Sequence, residues 1–296
     1  MSTRDALRLL ALATIWGASF LFLRISAPEF GPVPLILVRA AVASVCVASV
    51  FKNPAHRSLL RQNLWRFLFL GFVNTALPFS LLAYATLSLE AGFTSLLNAT
   101  TPIFAAIIGA VVFSIPLRRI QIVGLLIALA GVAILSWDSL SFKPGGSGLA
   151  VLAALAASAS YGVAVNFTKH ELAHIPPQLV SAGALLMASV ILLVPGIWLW
   201  PEEPPGARAW ISALLLAIFC TALAYAIFFS LLKRSGAIAA SSVTFLIPAF
   251  AILWGAAILD EQIDSRLLLG MVVTLAGTAL AVGLIRPRQA PSPRSE

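Results

Sequence analysis

The side chains of this 296-residue chain that could bind a small molecule are polar groups set inside long apolar runs. Arg39 lies within the run LILVRAAVAS. An arginine near the centre of a membrane-spanning helix costs about 2.5–3.5 kcal/mol on insertion scales, so it usually faces a cavity or a partner. Two interpretations stay open. Arg39 attracts a carboxylate of a bound molecule, or it extends toward the membrane surface and pairs with Glu29 or with helix-end carbonyls.

Two further polar residues, Asn98 and Thr244, each stand four positions before a proline, Pro102 and Pro248. A proline removes a backbone hydrogen bond to the preceding turn of a helix and leaves a carbonyl free there. We therefore predict helix breaks or hinges at Pro102 and Pro248 that expose polar groups to a cavity. The alternative is that a neighbouring helix satisfies these groups.

Aromatic residues accompany these polar positions. A cavity with aromatic walls and a few hydrogen-bonding groups suits an amphipathic small molecule, such as a hydrophobic or aromatic amino acid. The alternative is that the rings face lipid or fill gaps between helices. The predicted binding residues are Trp16, Ser19, Phe20, Arg39, Asn74, Phe79, Tyr84, Asn98, Thr101, Tyr161, Asn166, Tyr225 and Thr244. No catalytic constellation, metal-ligand set or cofactor site is visible in the sequence.

The elements that must position these residues are membrane-spanning helices. The chain is 60% hydrophobic and 10% charged with a mean hydropathy of +1.00, whereas soluble domains are roughly 45–50% apolar and about 25% charged. Apolar runs fall at about 6–26, 32–51, 65–88, 92–115, 119–137, 147–168, 177–200, 209–232, 236–259 and 266–285. Each is long enough to cross a bilayer, and none alternates as a barrel strand does. The sequence predicts an all-α integral membrane protein with ten transmembrane helices.

The net charge of +8 is distributed unequally between the alternating loops. One set, with both termini, carries fourteen Lys and Arg against three acids; the other carries four against eight. Basic loops remain cytoplasmic, so both termini are expected in the cytoplasm. The excess charge thus specifies orientation and does not indicate a nucleic-acid partner.

The chain also aligns with itself at an offset of 145–146 residues. WGASFLFLR at 16–24 matches YGVAVNFTK at 161–169, and Pro102 matches Pro248. We call residues at this offset repeat mates. Five spans per half is an odd number, so the halves must be inverted. The aligned loops 114–119 (SIPLRR) and 260–265 (DEQIDS) have opposite charge, as the positive-inside rule requires of inverted repeats.

This alignment divides the chain into four segments: 1–142 and 149–286 as the two inverted five-helix repeats, 143–148 as a linker, and 287–296 as a cytoplasmic tail. Inverted repeats build a site near the bilayer midplane and expose it alternately to each side, which indicates a transporter. Two repeat mates, Arg24 and Lys169, stand at opposite ends of the bundle as gate residues or as anchors that reach the membrane surface.

Glycines recur at corresponding positions of spans five and ten, at Gly124 and Gly131 and at Gly270 and Gly277. Small residues along one helix allow a neighbouring backbone to approach closely. We predict that these two spans form scaffold and pack against each other across a pseudo-twofold axis.

The W-G-x-S-F opening, the repeated P-x6-G and G-x6-G tails and the ten spans resemble the drug/metabolite transporter superfamily, EamA-type. The resemblance covers roughly residues 6–285 and is greatest to bacterial exporters of aromatic amino acids. It implies a basket-like bundle around a central cavity, no ATP-binding part and a bacterial inner-membrane location. Family members often carry an acid after the fourth helix of each half. Here Asp260 and Glu261 retain it, whereas Ser114 and Ile115 do not.

The sequence thus predicts a secondary transporter that exports small metabolites, with aromatic or hydrophobic amino acids as leading candidates, by alternating access. No Asp or Glu lies deep in a span, which favours facilitated diffusion over proton coupling. The alternatives are an antiporter of phosphorylated or nucleotide-linked sugars and, from another class, a membrane-embedded enzyme. The expected partners are the substrate and the lipid bilayer, with the chain a monomer or weak homodimer, no nucleic acid and no cofactor.

Overall fold

The computed structural model describes residues 2–137, 141–142 and 146–283, and contains no β-strand in that part of the chain. Linker residues 143–145 and the predicted tail 287–296 lie outside the described residues. The α-helices are α1 Thr3–Phe30, α2 Pro32–Cys46, α3 Pro54–Gln62, α4 Leu64–Gly71, α5 Leu77–Ala85, α6 Ala91–Asn98, α7 Thr101–Val112, α8 Arg119–Ser136, α9 Gly148–Glu171, α10 Pro177–Trp198, α11 Ala207–Ala217, α12 Ala224–Ser241, α13 Val243–Leu259 and α14 Ser265–Ala281.

Eight helical segments of the described chain are long and apolar enough to cross a membrane. They are Thr3–Phe30, Leu64–Ala85, Ala91–Val112, Arg119–Ser136, Gly148–Glu171, Pro177–Trp198, Ala207–Gly236 and Ala239–Leu259. Two shorter apolar helices are α2, with 15 residues, and α14, with 17 residues. The predicted all-helical, multi-pass membrane architecture is confirmed.

Several backbone irregularities recur at the same offset along the chain. A π-helical turn at Phe72–Ala76 joins α4 to α5, and another at Ile218–Leu223 joins α11 to α12, with starting positions 146 residues apart. Left-handed backbone occurs at Ser114, with φ 53°, and at Asp260, with φ 55°, which are also 146 residues apart. These irregularities therefore reproduce the offset at which the sequence aligns with itself.

Helices α8 and α14 pack with their backbones in close contact, as their glycines predict. A Cβ atom added to Gly131 would lie 2.5 Å from the backbone nitrogen of Thr274, and one on Gly277 would lie 2.3 Å from that of Ala128. Thr274 is the repeat mate of Ala128, so the two contacts have the same form with the halves exchanged. The predicted scaffold pairing of these helices is confirmed.

A second pair of contacts joins the helices around the centre of the molecule. Gly17 of α1 lies against Phe250 and Ala251 of α13, and Gly162 of α9 lies against Phe104 and Ala105 of α7. In both cases a side chain on the glycine would approach the facing backbone within about 3 Å. The first helix of each half therefore lies directly against a helix of the other half: α1 against α13, and α9 against α7.

Candidate functional site

A cavity of about 370 Å³ lies where these helices meet. Its lining residues come from α1, α2, α5, α6, α7, α9, α12, α13 and both π-helical turns. They are Trp16, Ser19, Phe20, Leu23, Arg39, Asn74, Phe79, Leu82, Ser95, Asn98, Ala99, Thr101, Pro102, Tyr161, Val165, Cys220, Tyr225, Phe228, Ser241, Val243, Thr244, Ile247 and Pro248. The volume and the apolar lining with scattered polar groups are typical of a small-molecule site.

Arg39 is held in the cavity wall with only 5% of its surface exposed. Its Nε donates a hydrogen bond to Thr221 Oγ1 over 3.0 Å, and its Cζ lies 3.7 Å from the centroid of the Phe79 ring. The Phe79 contact is a cation–π interaction, which a desolvated site strengthens. Arg39 forms no ion pair with a carboxylate in the described chain.

The pairing of Arg39 with Glu29 that the sequence left open does not occur. Glu29 Oε2 instead accepts a hydrogen bond from the backbone nitrogen of Gly206 over 2.6 Å. The guanidinium of Arg39 therefore does not extend to the end of the bundle, and it remains available to an anionic group inside the cavity.

Each of the two π-helical turns contributes a side chain to the cavity wall. Asn74 belongs to the first turn and Cys220 to the second, and both line the cavity. Thr221 Oγ1 donates to the carbonyl of Leu216, five residues earlier, over 2.9 Å while it accepts from Arg39. A π-helical turn changes the direction of side chains within one helix and is frequent at functional sites.

Aromatic rings form two pairs in the cavity wall. Trp16 and Phe228 have ring centroids 5.5 Å apart, and Phe79 and Tyr161 have centroids 6.3 Å apart with an interplanar angle of 62°. Such tilted arrangements present both ring faces and ring edges to a bound molecule. The cavity therefore suits a ligand with an apolar, preferably aromatic, part.

The sequence model of the EamA-like transporter family matches residues 5–137 and 148–283, which together span most of the chain. The chain belongs to this family. The two matched segments are similar in length and are separated by the polar linker region. The resemblance inferred from the sequence motifs, to EamA-type members of the drug/metabolite transporter superfamily, is thereby confirmed.

Curated relatives of this EamA-like transporter are similar over nearly its whole length. The uncharacterized transporter YvbV of Bacillus subtilis is 25% identical over 283 residues, covering 94% of this chain and 91% of that protein. A probable amino-acid metabolite efflux pump of Escherichia coli is 25% identical over 303 residues, covering 98% of each chain. The corresponding pump of Salmonella typhimurium is 26% identical over 304 residues, with the same coverage. One solved structure matches with a TM-score of 0.65 at 17% identity over 96% of this chain, which shows a shared fold.

Eleven of the thirteen predicted binding residues of this EamA-like transporter line the cavity, and both prolines do so as well. Tyr84 and Asn166 do not. Tyr84 lies on α5 and is 41% exposed. Asn166 is buried and its Nδ2 donates to the carbonyls of Ala105 and Gly162, so it holds α9 against α7.

The predicted helix breaks differ between the two prolines. Pro102 stands in the first turn of α7, directly after an interruption at Ala99 and Thr100. Pro248 lies inside α13, which continues through it, and the interruption in that part of the chain precedes it at Ser242. The predicted break at Pro248 is therefore wrong, because the helix continues through that residue and begins five residues before it, after Ser242.

Sequence reasoning missed several lining residues that are repeat mates of lining residues. They are Val165 (mate of Phe20), Cys220 (of Asn74), Phe228 (of Leu82) and the pair Ser95 and Ser241. Extending each predicted residue to its mate would have found Val165 and Cys220, because the two halves of the chain contribute corresponding positions. Cys220 is buried, whereas the other cysteine, Cys46, is exposed.

A polar cluster lies near the end of α1. Arg24 Nε lies 3.7 Å from Glu261 Oε1, and Arg24 Nη1 donates to the carbonyl of Thr86 over 2.6 Å. Both Glu261 carboxylate oxygens accept from the backbone nitrogen of Ala91, at 2.9 and 3.0 Å. This Arg24–Glu261–Ala91 cluster joins the first half of the chain to the second. The repeat mates of these residues cannot form the same cluster, because the mate of Glu261 is Ile115, which has no carboxylate.

Glu90 precedes α6 beside this cluster. Burial raises the pKa of its carboxyl, the negative charges of Glu261 and Asp264 raise it further, and Arg24 opposes them. The charged form of Glu90 is therefore disfavoured where it lies, and its protonation depends on the state of the cluster.

Proposed function

We propose that this EamA-like transporter exports small amphipathic metabolites that carry a carboxylate, with aromatic or hydrophobic amino acids as the leading class. The observation that carries the proposal is Arg39, a buried cation in the cavity wall without a carboxylate partner in the described chain. A substrate carboxylate would supply that partner, and the rings of Trp16, Phe79 and Tyr161 would contact its apolar part. The efflux-pump names of two relatives agree with this assignment.

The proposed architecture has ten membrane crossings in two inverted repeats, 1–142 and 149–286, around this cavity. Support comes from the π-helical turns, the left-handed residues and the glycine contacts, all of which recur with the halves exchanged. In this arrangement α2 and α14 are the two short crossings, and both termini are cytoplasmic, as the loop charges require.

The difference between the two ends of the cavity supports alternating access. Phe20 and Ser95 are 5% and 1% exposed, whereas Val165 is 52% exposed and Ser241 is also exposed. Val165 is the repeat mate of Phe20, and Ser241 is that of Ser95. Corresponding positions of the cavity wall are therefore buried at the end near Arg24 and exposed at the end near Lys169. In our proposal the structure is the inward-open state, and the Arg24–Glu261–Ala91 cluster holds the outer side closed.

Facilitated diffusion is the proposed energetic mode. The described lining residues include one cation and no Asp, Glu or His, which are the usual proton relays of coupled carriers. The same lining disfavours a phosphorylated or nucleotide-linked sugar, because recognition of a phosphate group typically uses several Lys or Arg. It also lacks an acid–base or nucleophile pair in the described residues, which a membrane-embedded enzyme would need.

Counterflow into proteoliposomes tests the proposal. Purified protein is reconstituted with each unlabelled compound inside, and entry of its labelled form is measured for L-phenylalanine, a panel of other amino acids and a panel of sugar phosphates. We expect amino-acid exchange in the wild type and, for Arg39→Gln, a loss of affinity of about tenfold or more. Failure of every amino acid to exchange would remove the proposal. Accumulation driven by an imposed pH gradient would remove facilitated diffusion alone.

A further inference from the structure

Two buried polar atoms at the cavity have no hydrogen-bond partner in the described chain, Ser95 Oγ and Asn98 Oδ1. Ser95 is only 1% exposed. Both residues belong to α6, three positions apart, which places them on one face of that helix. Two other hydroxyls of the cavity are engaged: Thr101 Oγ1 donates to the carbonyl of Asn98, and Thr244 Oγ1 to that of Ser241, both over 2.8 Å.

The chemistry of these two atoms specifies what would satisfy them. An amide oxygen only accepts hydrogen bonds, and a serine hydroxyl accepts them as well as donating one. Leaving such a group buried and unpaired is unfavourable, so a ligand that supplies hydrogen-bond donors gains affinity from binding there. An ammonium group carries three N–H donors and fits two adjacent acceptors.

The other common partner of a buried ammonium group is a carboxylate. The described lining residues contain no Asp or Glu, so an amine in this cavity meets neutral acceptors and not a carboxylate. The only charged lining residue described is the cation Arg39, which repels an ammonium and attracts a carboxylate. The two charged groups of an α-amino acid therefore have separate places in the wall.

We infer that Ser95 and Asn98 bind the amino group of the substrate while Arg39 binds its carboxylate, so that the transporter selects α-amino acids over the corresponding acids without the amine. This inference rests on the proposed function and assigns the second polar group of the same substrate. The first half of the chain alone supplies the amine site, because in the second half Ser241 is exposed and the Thr244 hydroxyl is already engaged.

Binding of a matched ligand pair tests the assignment. L-Phenylalanine and 3-phenylpropionate share the ring, the chain and the carboxylate, and only the first has the amine. Their Kd values are measured by titration calorimetry on the purified full-length protein. We expect the wild type to bind L-phenylalanine about tenfold more tightly. Ser95→Ala and Asn98→Ala are expected to weaken L-phenylalanine binding about tenfold while the Kd of 3-phenylpropionate stays unchanged.

Two further variants keep the experiment decisive. Ser136→Ala removes another buried serine hydroxyl that has no partner among the described residues, on α8 and outside the cavity lining, and should change neither Kd. Asn98→Asp keeps the size of the side chain and adds a negative charge, so it should increase the preference for L-phenylalanine over 3-phenylpropionate. This variant tests the amine site even if the alanine variants do not fold.

Equal binding of both ligands by the wild type would overturn the amine site, as would an equal loss for both ligands in Ser95→Ala and Asn98→Ala. In either case 3-phenylpropionate still binds through Arg39 and the proposed function stands. If neither ligand binds the wild type, the proposed function itself fails and the amine site falls with it.

Discussion

Arg39 Nε donates a hydrogen bond to Thr221 Oγ1 over 3.0 Å, across 182 residues of the chain. Arg39 belongs to α2 in the first half, and Thr221 belongs to the π-helical turn of the second half. The hydroxyl that orients the cation of the cavity therefore comes from the opposite half. A relative movement of the two halves would change the direction in which the guanidinium points.

Substituting Thr221 tests this orientation. Thr221→Val keeps the volume but removes the acceptor, so Arg39 loses a partner and we expect about tenfold weaker L-phenylalanine binding. Thr75→Val is the matched control, because Thr75 is the repeat mate, is equally buried and has no partner for its Oγ1 within the part of the chain that the structure describes. Calorimetric Kd values decide the comparison. An equal effect at both positions would contradict a specific role for Thr221.

Glu261→Gln tests the closing cluster. The amide oxygen can still accept from the Ala91 nitrogen, but the charge attraction to Arg24 is lost. We expect the outer side to open more often, so that Cys220 in the cavity reacts faster with a membrane-impermeant maleimide added from that side. The assay uses a Cys46→Ser background because Cys46 is exposed. Glu203→Gln, in an exposed loop, should leave the rate unchanged.

Glu90→Gln should stabilise the protein at neutral pH. Burial and the charge of Glu261 raise the pKa of the Glu90 carboxyl in the fold above its ordinary value of 4.5, so the charged form opposes folding once the pH exceeds the pKa of the unfolded chain. The neutral amide removes this cost. The thermal unfolding midpoint of the variant in detergent should therefore exceed that of the wild type at pH 7, and the difference should shrink as the pH falls toward 4.5. A difference that grows on acidification would contradict the stated direction.

Gly131→Ala should destabilise the α8–α14 scaffold. The added Cβ would lie 2.4 Å from Thr274 Oγ1 and 2.5 Å from the Thr274 nitrogen, so the helices must separate. Overpacking of this kind typically costs about 1–3 kcal/mol, which lowers the unfolding midpoint. Ala130→Val, on the exposed side of the same helix, is the control and should have little effect. Equal midpoints for both variants would show that the close approach of the helices is not required.

The sequence contains enough to predict much of the site because polar groups in an apolar span are costly in lipid and must face inward. This argument correctly places residues such as Asn74 and Tyr225 at the cavity. It cannot separate a cavity from a helix contact, since both satisfy polar groups. Asn166 satisfies its amide against α7, and Tyr84 retains an exposed ring at the side of α5.

Local pattern by itself determined the helical, multi-pass architecture, the repeat and the close packing of Gly131 and Gly277, because hydropathy and residue size act along the chain. The tertiary structure decided the partners: Thr221 for Arg39, Arg24 and the Ala91 nitrogen for Glu261, and, among the described residues, none for the Ser95 hydroxyl. These pairings join residues from different helices whose rotation about their axes is not readable from uniformly apolar spans. Only the packed bundle fixes that rotation, and with it which polar atoms are satisfied and which stay open to a ligand.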